Sequence, residues 1–185
     1  MKSYVMTHAG NKGGLFFMLG VNLLFAGFAL TLNGLGYFMA LDNRVKGIVN
    51  LLVGLVIGIN AVFQTAQATD HISFAFSAAM WLFALNYFII AAHILFKSEN
   101  WKVFGLYGLF ASLVSFTFAG EAFFTDAPWE LVYLWGMWGI LWAQSFLAII
   151  LGLKSIDKLT PHVLILNGIA STFVPGFLIL LGFIL

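Results

Sequence analysis

The strongest constraint on this chain is where its charges are absent. Its fifteen charged side chains are Lys2, Lys12, Asp42, Arg44, Lys46, Asp70, Lys97, Glu99, Lys102, Glu121, Asp126, Glu130, Lys154, Asp157 and Lys158. Between their clusters run apolar stretches near 14–41, 47–69, 72–96, 103–120, 129–153 and 161–185. About 20 helical residues at 1.5 Å each cross a hydrocarbon core about 30 Å thick, so every stretch can span. Strands of a membrane barrel would need segments of roughly ten residues with alternating polarity, and none is present. The spans are therefore expected to be helices, which satisfy their own backbone hydrogen bonds in lipid.

Composition agrees. Charged residues make up 8% of the 185, and mean hydropathy is +1.03. A soluble domain carries about 25% charged residues, so water cannot be the solvent for most of this surface. The fold class is an all-α integral membrane protein with a six-helix bundle as its protomer. Residues 1–13 read as a polar, loose N-terminal tail, and 14–185 as one membrane domain whose short connections make consecutive helices antiparallel neighbours. The stretch Leu15 to Leu41 exceeds the 7–15 residues of a signal-peptide apolar region and reads as a mature helix.

The basic residues predict an orientation. Arg44 and Lys46, Lys97 and Lys102, and Lys154 and Lys158 fall in the 1–2, 3–4 and 5–6 connections. The positive-inside rule places these connections in the cytoplasm and both termini outside. Lys2 and Lys12 dissent.

The spans lack charge at their centres, which argues against ion pumps, proton-coupled transporters and voltage sensors. No buried Lys is available for a Schiff base. His71 and His93 lie near opposite ends of the third span, too far apart for one haem; His162 follows Pro161 at a helix start, and His8 lies in the tail. With no nucleophile–base pair and no HExxH motif, an intramembrane enzyme is not expected. There is no cysteine, and no metal or cofactor is expected. A net charge of +1 gives no nucleic-acid footprint.

Uncharged polarity and aromatic rings remain. Trp101, Trp129 and Tyr133 near helix ends suit interfacial belts. Trp135, Trp138 and Trp142 are spaced i, i+3, i+7 and share one face of the fifth span. Phe83 and Tyr87 lie one turn apart on the third. Asn22, Ala26, Leu30 and Asn33 nearly align on the first, because eleven residues at 100° return to within about 20°. Asn50, Asn60, Asn86, Gln144 and Asn167 add amides to other spans. Each signal alone is equally met by helix packing, by interhelical hydrogen bonding or, for the glycines, by close helix contact. Together they suggest a narrow, uncharged, aromatic-lined path for a small planar neutral solute, since an ion would have to shed water there with no counter-charge.

The run Trp135-Gly-Met-Trp-Gly-Ile-Leu-Trp142 resembles the UreI/AmiS family of proton-gated urea channels and short-chain amide channels. Asn33-Gly34 ending the first helix, Asn50 opening the second, LFALNYFIIAA in the third, and Thr160-Pro161 with Pro175 in the sixth also fit. The resemblance covers everything after the tail. It implies a six-helix protomer with its own pore in a hexameric ring of the bacterial inner membrane. It implies passive flow of urea or short-chain amides and of water, alongside a cytoplasmic urease or amidase. It also implies that Trp135, Trp138, Trp142, Phe83 and Tyr87 form constrictions, with Leu30 and Asn33 lining the same path.

Two departures bear on gating. The urea-channel members carry a Glu six residues after the Thr-Pro proline, where this chain has Asn167, which cannot ionise. Acid-gated members have long outer loops with several histidines, whereas His71 stands alone here. A pore open near neutral pH is expected, with His71, Glu121 and Asp126 as candidate groups at an outer mouth; the two carboxylates are minor candidates that fit solvated loops better. A non-conducting membrane scaffold or sensor subunit, its aromatics used only for packing, is the alternative from another class. A membrane enzyme or haem protein is a weaker third.

Overall fold

The structure is a computed structural model that describes the backbone of residues 3–184 and the side chains of 14 and 17–184 other than Ile72. Its helices are α1 (Ser3–Leu35), α2 (Asn43–Gln67), α3 (His71–Leu95), α4 (Lys102–Phe124), α5 (Trp129–Ile149), α6 (Lys154–Asn167) and α7 (Val174–Leu180), with a π-helical turn at Gly168–Phe173 joining the last two. Among the described residues, six spans are long and apolar enough to cross a membrane, the sixth being α6, the π turn and α7 together. The backbone of α1 begins at Ser3, inside the segment read as a tail, and among the described residues its membrane-capable span is Phe17–Leu35. The side chain of His8 lies outside the described residues.

The charged clusters that divide the sequence also end the helices. Asp42 accepts hydrogen bonds from the backbone N–H of Arg44 and Val45, and so starts α2 at Asn43, before the expected 47. Asp70 and Ser73 form a capping box at the start of α3. Lys97 (φ 53°) and Asp126 (φ 52°) take the left-handed conformation that terminates α3 and α4. Behind them, Ser98 N–H reaches His93 O and Ala127 N–H reaches Ala122 O.

Three expected boundaries are corrected. The first span ends at Leu35 rather than 41, because residues 36–39 close tight turns onto Leu32, Gly34 and Leu35 before the Asp42 cap. The fifth ends at Ile149 rather than 153, since Gly152 (φ 65°) reverses the chain. The sixth starts at Lys154 rather than 161, so Thr160-Pro161 and His162 lie inside α6 rather than at its start.

Each helix packs on the next in sequence, and the sixth span returns along α1, closing a ring. No Cα of α3 lies within 8 Å of α5 among the described residues, so these helices face each other across the interior and meet only through side chains.

Glycines set the seam between α1 and the sixth span. Gly20, Gly27 and Gly34 recur every seven residues and face Gly176, Gly168 and Pro161. A Cβ on Gly27 would lie 2.6 Å from Gly168 O, and one on Gly176 would lie 2.8 Å from Gly20 O. On the sixth span the intervals are seven, then eight, and the longer one contains the π turn. A π turn inserts one residue into a helix. Here that residue keeps the two backbones in close contact through their whole crossing.

Candidate functional site

The bundle encloses a cavity of about 1040 Å³ that opens at one end of the ring. Its mouth is lined by Arg44 and Lys46, by Lys97 and Glu99, and by Asp157, so the three basic connections gather at the same end, as the charge pattern predicts. Deeper in, the walls are Leu30 and Asn33 of α1, Asn86 of α3, and Leu141, Trp142 and Gln144 of α5. The cavity ends against a partition of aromatic rings.

That partition is built from α3 and α5. Phe83 stands edge-on to Trp138, with ring centroids 4.9 Å apart and planes at 88°, and also contacts Trp142 at 5.0 Å. Trp138 meets Trp135 at 5.2 Å, and Trp135 stacks on Phe118 of α4 at 4.7 Å. Such edge-to-face and offset pairs are worth about 0.5–1.5 kcal/mol beyond their burial. Phe83, Trp135, Trp138 and Trp142 are all nearly inaccessible. Beyond Phe83 lies a void of about 10 Å³ beside Asn22, roughly the space of one water.

Hydrogen bonds fix the partition. The indole N–H of Trp142 donates to Asn86 Oδ1 at 3.2 Å, and that of Trp138 to Ser171 O at 3.2 Å. Tyr87 is fully buried, but its hydroxyl donates to Ala26 O of α1 at 2.8 Å, behind the cavity wall. Asn33 and Asn50 exchange reciprocal amide bonds at 2.8 and 2.9 Å, and Asn60 donates to Asn22 Oδ1 at 2.7 Å. Gln144 donates to Thr160 Oγ1 at 2.6 Å, while its own Oε1 finds no partner.

Asn167 is buried beside the π turn. Its amide donates to Val163 O at 3.2 Å, and its side-chain oxygen accepts from Ser171 Oγ at 2.9 Å. It does not line the cavity. Among the described residues no Asp, Glu, Lys, Arg or His is buried, and no cluster of His, Asp or Glu could hold a metal ion.

At the opposite end of the bundle, His71 Nδ1 and Glu121 Oε1 are 3.2 Å apart, joining the start of α3 to the end of α4. His71 is largely exposed, so the pair is strongly screened. Asp126 belongs to the turn that ends α4.

Of the residues expected from sequence, the structure brings Leu30, Asn33 and Trp142 to the cavity, and Phe83, Trp135 and Trp138 to the partition. Tyr87 and Asn167 are placed behind these walls. Four contributors are additional. Phe118 carried no sequence signal. Ser171 acts through its carbonyl, which no side-chain pattern reveals. Tyr133, assigned to an interfacial belt, donates instead to Ala170 O at 3.0 Å. Trp101 stacks on His93 at 4.4 Å beside the cavity mouth.

Six membrane-capable helices around an interior in which no Asp, Glu, Lys, Arg or His is buried among the described residues define a polytopic membrane bundle. The sequence profile of AmiS/UreI family transporters matches residues 18–183, and the chain belongs to that family. It is 27% identical to the acid-activated urea channel of Helicobacter pylori (strain ATCC 700392 / 26695), over 88% of this chain and 97% of that one. It is 26% identical to a putative amidate substrates transporter protein of Mycolicibacterium smegmatis, over 89% of this chain and 78% of that one. The cryo-electron microscopy structure of the Helicobacter pylori urea channel in a closed state superposes with a TM-score of 0.77 at 25% identity, covering 88% of this chain and 97% of that one.

Proposed function

We propose that this chain is a passive channel for urea or short-chain amides, and for water, in a bacterial inner membrane. The observation that carries the reading is the partition of Phe83, Trp138 and Trp142 closing a cavity in an interior without buried charge. A planar neutral amide presents thin edges and flat faces, which suit passage between aromatic rings once these part slightly. An ion gains no counter-charge there and faces a desolvation cost of many kcal/mol, so charge is excluded without a filter of its own. Leu30, Asn33 and Trp142 line the approach, Trp135, Phe83 and Trp138 form the constriction, and Tyr87 and Asn167 hold its walls.

In this reading the basic mouth faces the cytoplasm, both termini lie outside, and six protomers form a ring with a pore in each. The broad belt of exposed Leu, Ile, Val and Phe on α2 and α4 suits contact with lipid and with neighbouring protomers. A downstream cytoplasmic urease or amidase would keep the gradient inward, because the channel stores no energy. Its relatives include a urea channel and a putative amidate transporter, and the uncharged inner walls of the cavity suit both kinds of solute. Stopped-flow uptake of urea and acetamide into proteoliposomes tests the reading. Uptake faster than in protein-free vesicles is expected; equal rates would leave the scaffold alternative.

A further inference from the structure

The aromatic partition is held from the sixth span by two backbone carbonyls, and the missing N–H of one proline falls where one of them would be bonded. In the π turn, Val174 N–H reaches back five residues to Ile169 O. The next residue, Pro175, has no N–H. It would have served Ala170 O in the π register, five residues back, or Ser171 O in the α register, four residues back. Those are the two carbonyls that α5 satisfies: Tyr133 Oη donates to Ala170 O at 3.0 Å and Trp138 Nε1 to Ser171 O at 3.2 Å.

We propose that Pro175 is a positioning residue for the constriction, one that fixes the Trp138 ring by withholding a backbone donor from Ser171 O, the carbonyl its indole binds. Pro175 is itself buried, and its neighbour Gly176 meets Gly20 across the seam with α1, so the backbone next to these carbonyls is held against α1. Upstream, Asn167 O accepts from Ser171 Oγ at 2.9 Å and Thr172 Oγ1 at 3.0 Å, which keeps the carbonyl ends of the turn satisfied without a regular helix. A proline in a lipid-spanning helix must have its freed carbonyls bonded elsewhere. Here those bonds aim a gate ring. The inference rests on the channel reading for its effect on selectivity, but the hydrogen bonds themselves do not.

The test is a double-mutant cycle on solute discrimination, read as the ratio of urea to propionamide uptake in proteoliposomes. Pro175→Ala restores a donor that competes for Ser171 O and frees the Trp138 indole. Discrimination against the bulkier amide is expected to fall about fivefold, the factor for one ordinary hydrogen bond. In a Trp138→Phe background, which has no indole N–H to lose, adding Pro175→Ala should change the ratio no further. Wild-type discrimination in Pro175→Ala, or an equal fall in both backgrounds, overturns the proposal. Hydrogen–deuterium exchange of the indole N–H groups, with the Trp138 signal assigned by its loss in Trp138→Phe, needs neither transport nor the proline variant. Slow exchange at Trp138 supports the clasp, and exchange as fast as at exposed Trp129 overturns it. Uptake by the wild type no faster than protein-free vesicles defeats the channel reading while leaving the exchange result to stand by itself.

Discussion

The amides of the spans work mostly in pairs. Asn33 and Asn50 exchange two hydrogen bonds at the buried wall of the cavity, and Asn50 also caps Lys46 O at 2.9 Å. Replacing one partner leaves the other with an unsatisfied buried amide. Asn50→Leu is expected to lower stability by about 1–2 kcal/mol, near the upper end for hydrogen bonds between membrane helices. The change would be read as a fall in the thermal midpoint of purified protein in detergent. Asn33→Leu combined with Asn50→Leu should cost less than the sum of the single changes; strict additivity would show that the pair does not interact. The i, i+3, i+7 spacing of the tryptophans was enough to place three rings on one buried face, and helical periodicity was enough to place Leu30 with Asn33. What the pattern could not contain was the receiver of each polar tip. Trp138 bonds a backbone carbonyl and Tyr133 does the same, and a carbonyl has no sequence signature. For that reason Tyr133 reads as a belt residue until the π turn is known.

At the scale of elements, the seam between α1 and the sixth span is the least forgiving contact. Gly27 and Gly168 meet backbone to backbone, and a Cβ at Gly27 would meet Gly168 O and Phe173 N at 2.6 and 2.7 Å. Neither obstacle is the end of a flexible side chain. Gly27→Ala should therefore push the spans apart and cost about 1–3 kcal/mol, as overpacking does. Gly120→Ala, where nothing lies within 4 Å, should be neutral or stabilise by up to about 1 kcal/mol through helix propensity. Thermal midpoints of the two variants side by side check this, and equal destabilisation would refute the seam. Spans and connections were legible because charge is costly in lipid. Their ends were less so, since hydropathy marks where lipid stops and capping marks where a helix stops. Asp42 starts α2 early, Gly152 stops α5 early, and Pro161 reads as a helix start but sits two turns inside one. The π turn has no composition of its own. Only the interval of eight residues between Gly168 and Gly176, against seven between Gly20 and Gly27, hints at it.

For the whole molecule, orientation and gating depend on where the remaining charges stand. The proposed orientation, with this mouth in the cytoplasm, rests on the gathering of Arg44, Lys46 and Lys97 there and on the positive-inside rule. Because the chain has no cysteine, single replacements report sides cleanly. Asp126→Cys should react with an impermeant maleimide added to intact cells and Glu99→Cys should not; the reverse labelling would invert the topology. Gating follows from the same layout. Acid gating requires a group that changes charge between pH 7 and 5 and thereby changes the pore, and histidine is the side chain suited to that range. Asn167, buried against the π turn, cannot ionise, and no titratable acid or histidine is buried among the described residues. The pair His71–Glu121 lies at the far end, exposed, and ties together two helix ends rather than the partition. Protonating His71 would strengthen an attraction that solvent already screens, so its leverage on Phe83 and Trp138 is small. Urea uptake into proteoliposomes is accordingly expected to show no sharp rise as the external pH is lowered from 7 to 5. A steep rise would refute this and shift attention to the His71–Glu121 contact, and its loss in His71→Gln would assign the gate to that pair.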